Sequence, residues 1–482
     1  MEIKHVIEGV EGEKGVVHES PHSFPQIPMR RKLRPCCTLG EKDRTTAGEV
    51  LYPGNIFENI RTISTLGPHE YDSGTSLTQT SGDPTIFSNE ENNGLVYTCR
   101  GGFIDTAQVR DYADWTVLLT TRFGRNLHKG GIFHLPKIGG SIEIHLKPIT
   151  KDLLARLGQR DLAVLLARWA AGKLAVWHEM ATWYGWSCLS KYPELSSAFS
   201  PEDFYSKLLG IKLGAAIAAR HLERSERLYN HSMNLWLEEA LRHLGATDHK
   251  TGRAAAFDVQ GVWWDDSKQI GTIDFLLRRN LDIKKAVRPW LLRPKSKWLT
   301  SALNRQCGPK PTPAVLHNPE SVRGINFSDW ITLKFVVKGN MNRMAPFHKL
   351  GKTFTQKQFD EILSEIRKQL YDRFGAESDK PYPIEKPNGN ETQPEPRNGP
   401  ESKKGKSRKV PHEKDMTEQI KGSSTGAKSN TGEARDTTKT EERNSNQEKR
   451  LNRKLLNTGE SDNQPNQDAD GADKKREGGR DK

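Results

Sequence analysis

The order of elements along this chain predicts an α+β fold: a single helix-rich domain with short strands, followed by a disordered C-terminal tail. Three observations carry that expectation. Apolar residues recur at helical spacing over long stretches, most plainly at 105–119, 151–186 and 200–244. Strict alternation is confined to brief runs such as 141–146, where Ser141, Glu143 and His145 alternate with Ile142, Ile144 and Leu146. From Ala376 to Lys482 only 13 of 107 residues are hydrophobic and Tyr382 is the only aromatic, too little to offset the entropy of ordering that stretch.

The elements follow in order. Residues 1–35 are polar, with unpatterned Pro and Gly, and read as a flexible lead-in; 36–90 read as loops with short strands, rich in Gly, Pro, Ser and Thr. A β-prone run, Gly94–Cys99, meets a turn at Arg100-Gly101-Gly102, and Phe103-Ile104 leads to a helix beginning at Asp105. A strand pair is expected at Ile132–Leu135 and Ser141–Leu146, and one helical stretch from Lys151 to Trp186. Ser200-Pro201-Glu202-Asp203 has the residues of a helix start, opening a helix to Arg220; another runs from Ser225 to Leu244 and stops at Gly245. Short strands are expected at Gly261–Trp264 and Gly271–Leu276, and a closing helix at Gln356–Phe374. The folded domain is therefore placed at 36–375 and the mixed-charge tail at 376–482.

Without the tail the chain is about 40% hydrophobic, enough for a substantial core. That excludes a coiled coil, a collagen-like chain and a wholly disordered protein. Of the formal charge of +13, about +11 lies in 1–375, so the folded part carries the basicity. Such a surface suits an anionic substrate or a polyanion, although solubility accounts for it equally well. The run Lys403, Lys404, Lys406, Arg408 and Lys409 lies in the tail and reads as a solvated linker or a nonspecific nucleic-acid contact. The five cysteines include no paired Cys-x-x-Cys and read as reduced thiols or small core residues. With no secretory-type apolar run at the start and no stretch long enough to span a bilayer, a cytoplasmic location is the default expectation.

Two segments concentrate chemistry. In Leu174–Trp186 the polar side chains amid the apolar and aromatic ones are His178, Glu179 and Thr182, which one helical turn gathers into a single patch. A helix apolar nearly all round is buried, and a buried imidazole and carboxylate must find partners, a ligand or a metal. The zinc-protease pattern His-Glu-x-x-His fits only in part, because its second His falls on Thr182. Asp105, His134 and His145 are by residue type candidates to join His178 at a metal, with zinc or iron the metals to look for. The plainer alternative is a core His hydrogen-bonded to a carboxylate.

The second segment is Cys99–Trp115. A thiol and Arg100 before a glycine turn and a helix start suit anion binding or an activated nucleophile, and Cys99 with His178 would make a Cys–His pair. Against this, Asp105 with Gln108 reads as a helix cap with its return partner, and Arg110 with Asp114 as a one-turn ion pair. Trp263-Trp264 reads as core rings and Arg278–Asp282 as a solvated turn. No Walker or Gly-x-Ser-x-Gly motif occurs, which disfavours a P-loop ATPase and a typical α/β-hydrolase.

These motifs resemble the bacterial domain of unknown function 4056 family. The matching stretches are Arg34–Cys37, Leu66–Gly74, Tyr97–Trp115, Trp177–Trp186, Ser197–Ile211 and Arg279–Trp290, within 34–300. That family has no settled activity. Its pattern often has His where this chain has Gln108, giving Asp-x-x-His ahead of the later His-Glu; the resemblance thus implies a metal or acid/base site, from which Gln108 departs. Relatives are often exported or lipid-anchored.

The function expected is that of a hydrolase-like enzyme. Cys99, Asp105, His178 and Glu179 are its catalytic candidates; Arg100, Arg110, Thr182, Tyr184, Asp203 and Tyr205 are its substrate-binding candidates. The alternative is a noncatalytic binding or scaffolding protein that uses a basic surface and a disordered tail.

Overall fold

The computed structural model describes residues 2–9, 24, 94–187, 194–268, 271–283 and 286–383. The chain divides into two units, Met1–Gly389 and Asn390–Lys482, and all described residues belong to the first. The expectations for 36–90, Cys36, Cys37, Cys188 and the tail beyond 383 lie outside the described residues.

Within the stretch expected as a flexible lead-in, Glu2–Glu8 instead forms helix α1, whose Ile3 and Ile7 are buried; it precedes a hairpin of β1 (Leu95–Thr98) and β2 (Gly102–Asp105), which leads directly into α2 (Thr106–Gly124). Strands β3 (Gly131–Leu135) and β4 (Gly140–Leu146) form the expected antiparallel pair. The stretch expected as one helix is two, α3 (Lys151–Leu157) and α4 (Gln159–Trp183), divided by Gly158 at φ 80°. Then come α5 (Asp203–Ala219), α6 (Glu226–Leu244) and α7 (His249–Asp258). Ser225 caps α6 and Gly245 ends it in the left-handed conformation, as its sequence predicts. The remainder comprises β5 (Ala286–Val287), α8 (Lys297–Cys307), β6 (Leu316–His317), β7 (Ser321–Val322), β8 (Ile325–Asn326), β9 (Ile331–Val337), α9 (Phe347–Leu350), β10 (Thr353–Thr355) and α10 (Phe359–Phe374). The class is α+β.

Helices α2, α4 and α5 form the centre. Glycines bring α5 against α2 backbone to backbone: a Cβ on Gly210 would stand 2.1 Å from the Val109 carbonyl oxygen, and one on Gly214 would stand 2.6 Å from that of Ala113. On its other side α4 packs over a four-stranded antiparallel sheet ordered β10-β9-β4-β3. The inward residues of β4 and β9 alternate as their pleat requires, and Phe335, Phe354 and Phe359 ring the indole of Trp177, whose Nε1 donates to the Ile138 carbonyl at 2.8 Å.

The strands expected at 261–264 and 271–276 are not strands. Trp263 and Trp264 are buried core rings in a turn-rich segment joined by isolated bridges such as Trp264 with Leu276, and these packed indoles account for the apolar run that resembled a strand. Helix α5 begins at Asp203 rather than at Pro201, because the Ser200 hydroxyl donates to the Glu202 carboxylate instead of capping an amide. Packing also continues past 375: Ser378 is buried, and the Trp263 indole donates to the Pro381 carbonyl at 2.6 Å. Among the described residues no helix is long and apolar enough to cross a membrane.

Candidate functional site

The α2–α5 contact sets the geometry of the interior. Asp105 closes β2 and caps α2, its carboxylate accepting the Ala107 amide at 2.8 Å and the Gln108 amide at 3.4 Å. Its own backbone N–H donates to the Ser206 hydroxyl at 2.9 Å. Ser206, Gly210 and Gly214 thus meet Asp105, Val109 and Ala113 at matching four-residue steps. The return half of the expected cap is overturned accordingly: Ser206, brought in by the close helix crossing, takes the amide assigned to Gln108.

Residues beside Ser206 carry the contact on to α4. Lys207, fully buried, is ion-paired with Glu179, whose other carboxylate oxygen accepts the Phe199 backbone N–H at 2.6 Å. Phe199 makes that bond from a left-handed backbone at φ 57°, a conformation unfavourable for a bulky residue and stabilised here by its surroundings. Next to Glu179, His178 is buried between the rings of Tyr112 and Trp186, with centroids at 6.3 Å and 5.2 Å. Neither of its ring nitrogens has a hydrogen-bond partner among the described residues. Burial, and then the nearby charge of Lys207, push its pKa well below the ordinary histidine value, so the imidazole is neutral at pH 7. Thr182, one turn along, also buries its hydroxyl without a partner among the described residues.

At the start of α5 lie two buried acids. Glu202 accepts the Ser200 hydroxyl at 2.7 Å on each oxygen, and burial, reinforced by the charge of Asp105, pushes its pKa up to about 8. Asp203, one turn before Lys207, has no hydrogen-bond partner among the described residues on either oxygen; burial first, then Glu202, Asp105 and Glu194, raises its pKa well above the usual carboxylate range, opposed by Arg279. Arg279 is buried too and is not part of a solvated turn. Its guanidinium donates to the carbonyls of Leu195 and Ser196, each at 3.3 Å, of Ile273 at 2.9 Å, and of Ala198. Asn280 extends the attachment, its backbone N–H donating to the Phe199 carbonyl at 2.8 Å.

The structure therefore sets Asp105 beside Glu202 and Asp203 at the start of α5, and ties Glu179, which has His178 and Thr182 next to it on α4, to the same helix through Lys207. Lys207, Glu202, Ser206 and Arg279 are the members that sequence reasoning missed. Lys207 left a signal: with Lys212 it bounds the apolar run Leu208–Ile211, a cation at each end.

Other candidates go elsewhere. Cys99 forms a disulfide with Cys307, with Cα atoms 5.2 Å apart, so it presents no free thiol and the Cys–His pair is withdrawn. Chain order hid this partner: the end of α8 returns to the β1–β2 turn from 208 residues away. Arg100 pairs with Glu8 at 2.6 Å, and Arg110 pairs with Asp114 at 2.9 Å and with Asn230 of α6, as the ion-pair alternative predicts. Tyr205 donates to the Ala314 carbonyl at 2.8 Å, and Tyr184 packs on Phe347. His134 and His145 flank Glu143, at 3.7 Å and 3.0 Å, on the face of the sheet opposite the buried Ile142 and Ile144. Among the described residues no three His, Cys, Asp or Glu side chains are arranged to share a metal ion.

Comparison with known proteins adds one relationship. No curated protein matches the chain. No solved structure matches it either. A family model does match, over residues 24–293, a span that includes every member of the interior cluster and stops short of β9, β10 and α10. With more than half of its length accounted for in this way, the chain belongs to the family described as protein of unknown function DUF4056.

Proposed function

We propose that this protein is a hydrolase-like enzyme whose acid–base groups are His178, Glu179 and Asp203, with Lys207 as the countercharge of Glu179. The observation that carries this reading is the set of buried polar atoms without hydrogen-bond partners among the described residues: both nitrogens of His178, the Thr182 hydroxyl and both oxygens of Asp203. Leaving such groups unbonded costs about 1–3 kcal/mol each, and a water or substrate group that reached them would remove that cost.

The protonation states suit a division of labour. Neutral His178, or Glu179 beside it, can take a proton from an attacking water, whereas Asp203, kept protonated by burial and by the charges of Glu202 and Asp105, can return one to a leaving group. Among the described residues, segment 194–203 touches Glu179 through the Phe199 backbone N–H.

The test is a panel of chromogenic ester, amide and phosphoester substrates assayed with the full chain, followed by His178→Ala and Asp203→Asn. Turnover that disappears in both variants while the far-ultraviolet circular dichroism stays unchanged supports the reading. If no substrate turns over and the variants only lose stability, the cluster is structural. Salt-sensitive retention of a polyanion that ignores His178 would then favour a binding protein.

A further inference from the structure

The disulfide opens onto a cleft of about 480 Å³ that Lys4, Arg100, Gln306 and Thr312 line together with the two cysteines. Cys99 is buried, whereas Cys307 is partly exposed. The charges around the cleft are unequal. Arg100 is paired with Glu8 at 2.6 Å, while exposed Lys4 has no ion-pair partner among the described residues. The charged side chains that line the cleft, Lys4 and Arg100, are both cations, which favours an anionic visitor, and the volume fits a small molecule.

The two sulfurs also differ electrostatically. Cys99 and Arg100 both line the cleft, so the guanidinium, although shared with Glu8, puts positive charge on the side where Cys99 would leave. Cys307 is the last residue of α8, where the helix dipole opposes negative charge. Access and charge therefore select the same direction of reaction: attack at Cys307 and departure of Cys99.

We propose that this cleft is a thiol–disulfide exchange site for a small anionic thiol. The incoming thiolate bonds to Cys307 Sγ; the Cys99–Cys307 bond breaks, and its electron pair leaves on Cys99, which takes a proton from water. A second thiol of the same kind attacks the outer sulfur of the mixed disulfide, releasing Cys307 as a thiol and the small molecule as its disulfide. Two electrons pass to the protein and two small thiols are oxidised, so the reaction balances. Reduction frees the end of α8 from the β1–β2 turn, which leads through β2 to Asp105.

The experiment uses the oxidised full chain with 3-mercaptopropionate, 2-mercaptoethanol or cysteamine, each rate being divided by that of the same thiol with a simple peptide disulfide. Acid quenching and peptide mass mapping locate the adduct. We expect the adduct on Cys307, with the anionic thiol favoured over the cationic one by about threefold to tenfold at low salt and the preference lost in high salt. Arg100→Ala and, independently of any folding defect there, Lys4→Glu should reduce or reverse that preference. Two free thiols in the starting protein, an adduct on Cys99, equal normalised rates, no reaction short of unfolding, or a preference unchanged in Lys4→Glu would each overturn the proposal.

Discussion

Lys207 on α5 is ion-paired with Glu179 on α4, and neither side chain exposes more than 1% of its surface. A charge pair so placed is worth little against an apolar pair of the same shape, but either partner alone is costly. Lys207→Met should therefore lower stability by about 3–5 kcal/mol in urea unfolding, and adding Glu179→Gln should recover part of that loss. A single variant within about 0.5 kcal/mol of the parent would mean that the pair is solvated.

His178 gives a pH signature. Its folded pKa lies below its unfolded value, so its contribution is present above about pH 6.5 and is lost as pH falls, because the unfolded chain binds the proton first. The slope contributed is at most about 1.4 kcal/mol per pH unit. Unfolding curves at pH 5, 6 and 7.5 should show a shallower acid loss in His178→Gln than in the parent.

Glu202 has the opposite sign. Its folded pKa is raised to about 8, so the protonated carboxyl favours the native state below the ordinary carboxyl value of 4.5 and that contribution disappears as pH rises toward 8. Glu202→Gln should consequently gain stability relative to the parent at pH 8 and gain none at pH 4, measured by thermal melts at the two values.

Gly210 decides between two effects. Alanine at that position would improve helix propensity by about 1 kcal/mol, yet its Cβ would meet the Val109 carbonyl at 2.1 Å, which only a separation of α2 from α5 can relieve. The clash should win, and Gly210→Ala should lower the melting temperature by several degrees, at about 4–8 °C per kcal/mol in a small domain and less in one of this size. An unchanged or raised melting temperature would show that the helices tolerate the spacing.

Much of this architecture was legible in local patterns. The burial of His178 and Glu179 followed from a helix with no polar face, the β3–β4 pair from alternation, and the bounds of α6 from Ser225 and Gly245. What was hidden depends on distant chain segments meeting. Lys207 finds Glu179 only because Gly210 and Gly214 let α5 approach α2 so closely; Cys99 finds Cys307, and Arg279 finds the carbonyls of 195–198, across long separations. Strand-like Trp263-Trp264 misled because large apolar rings pack equally well in turns.

The pairing of β4 with β9, from Gly140 against Val337 to Leu146 against Ile331, has a practical consequence for anyone excising the portion of this chain that the family model matches. A fragment ending at residue 293 would retain β3 and β4 but lose the strand that hydrogen-bonds along β4's other side. Its bare amides and carbonyls, flanked by Ile142 and Ile144, would invite like fragments to stick together edge to edge. Insoluble material from such a truncation would reflect the cut, not the character of the whole molecule.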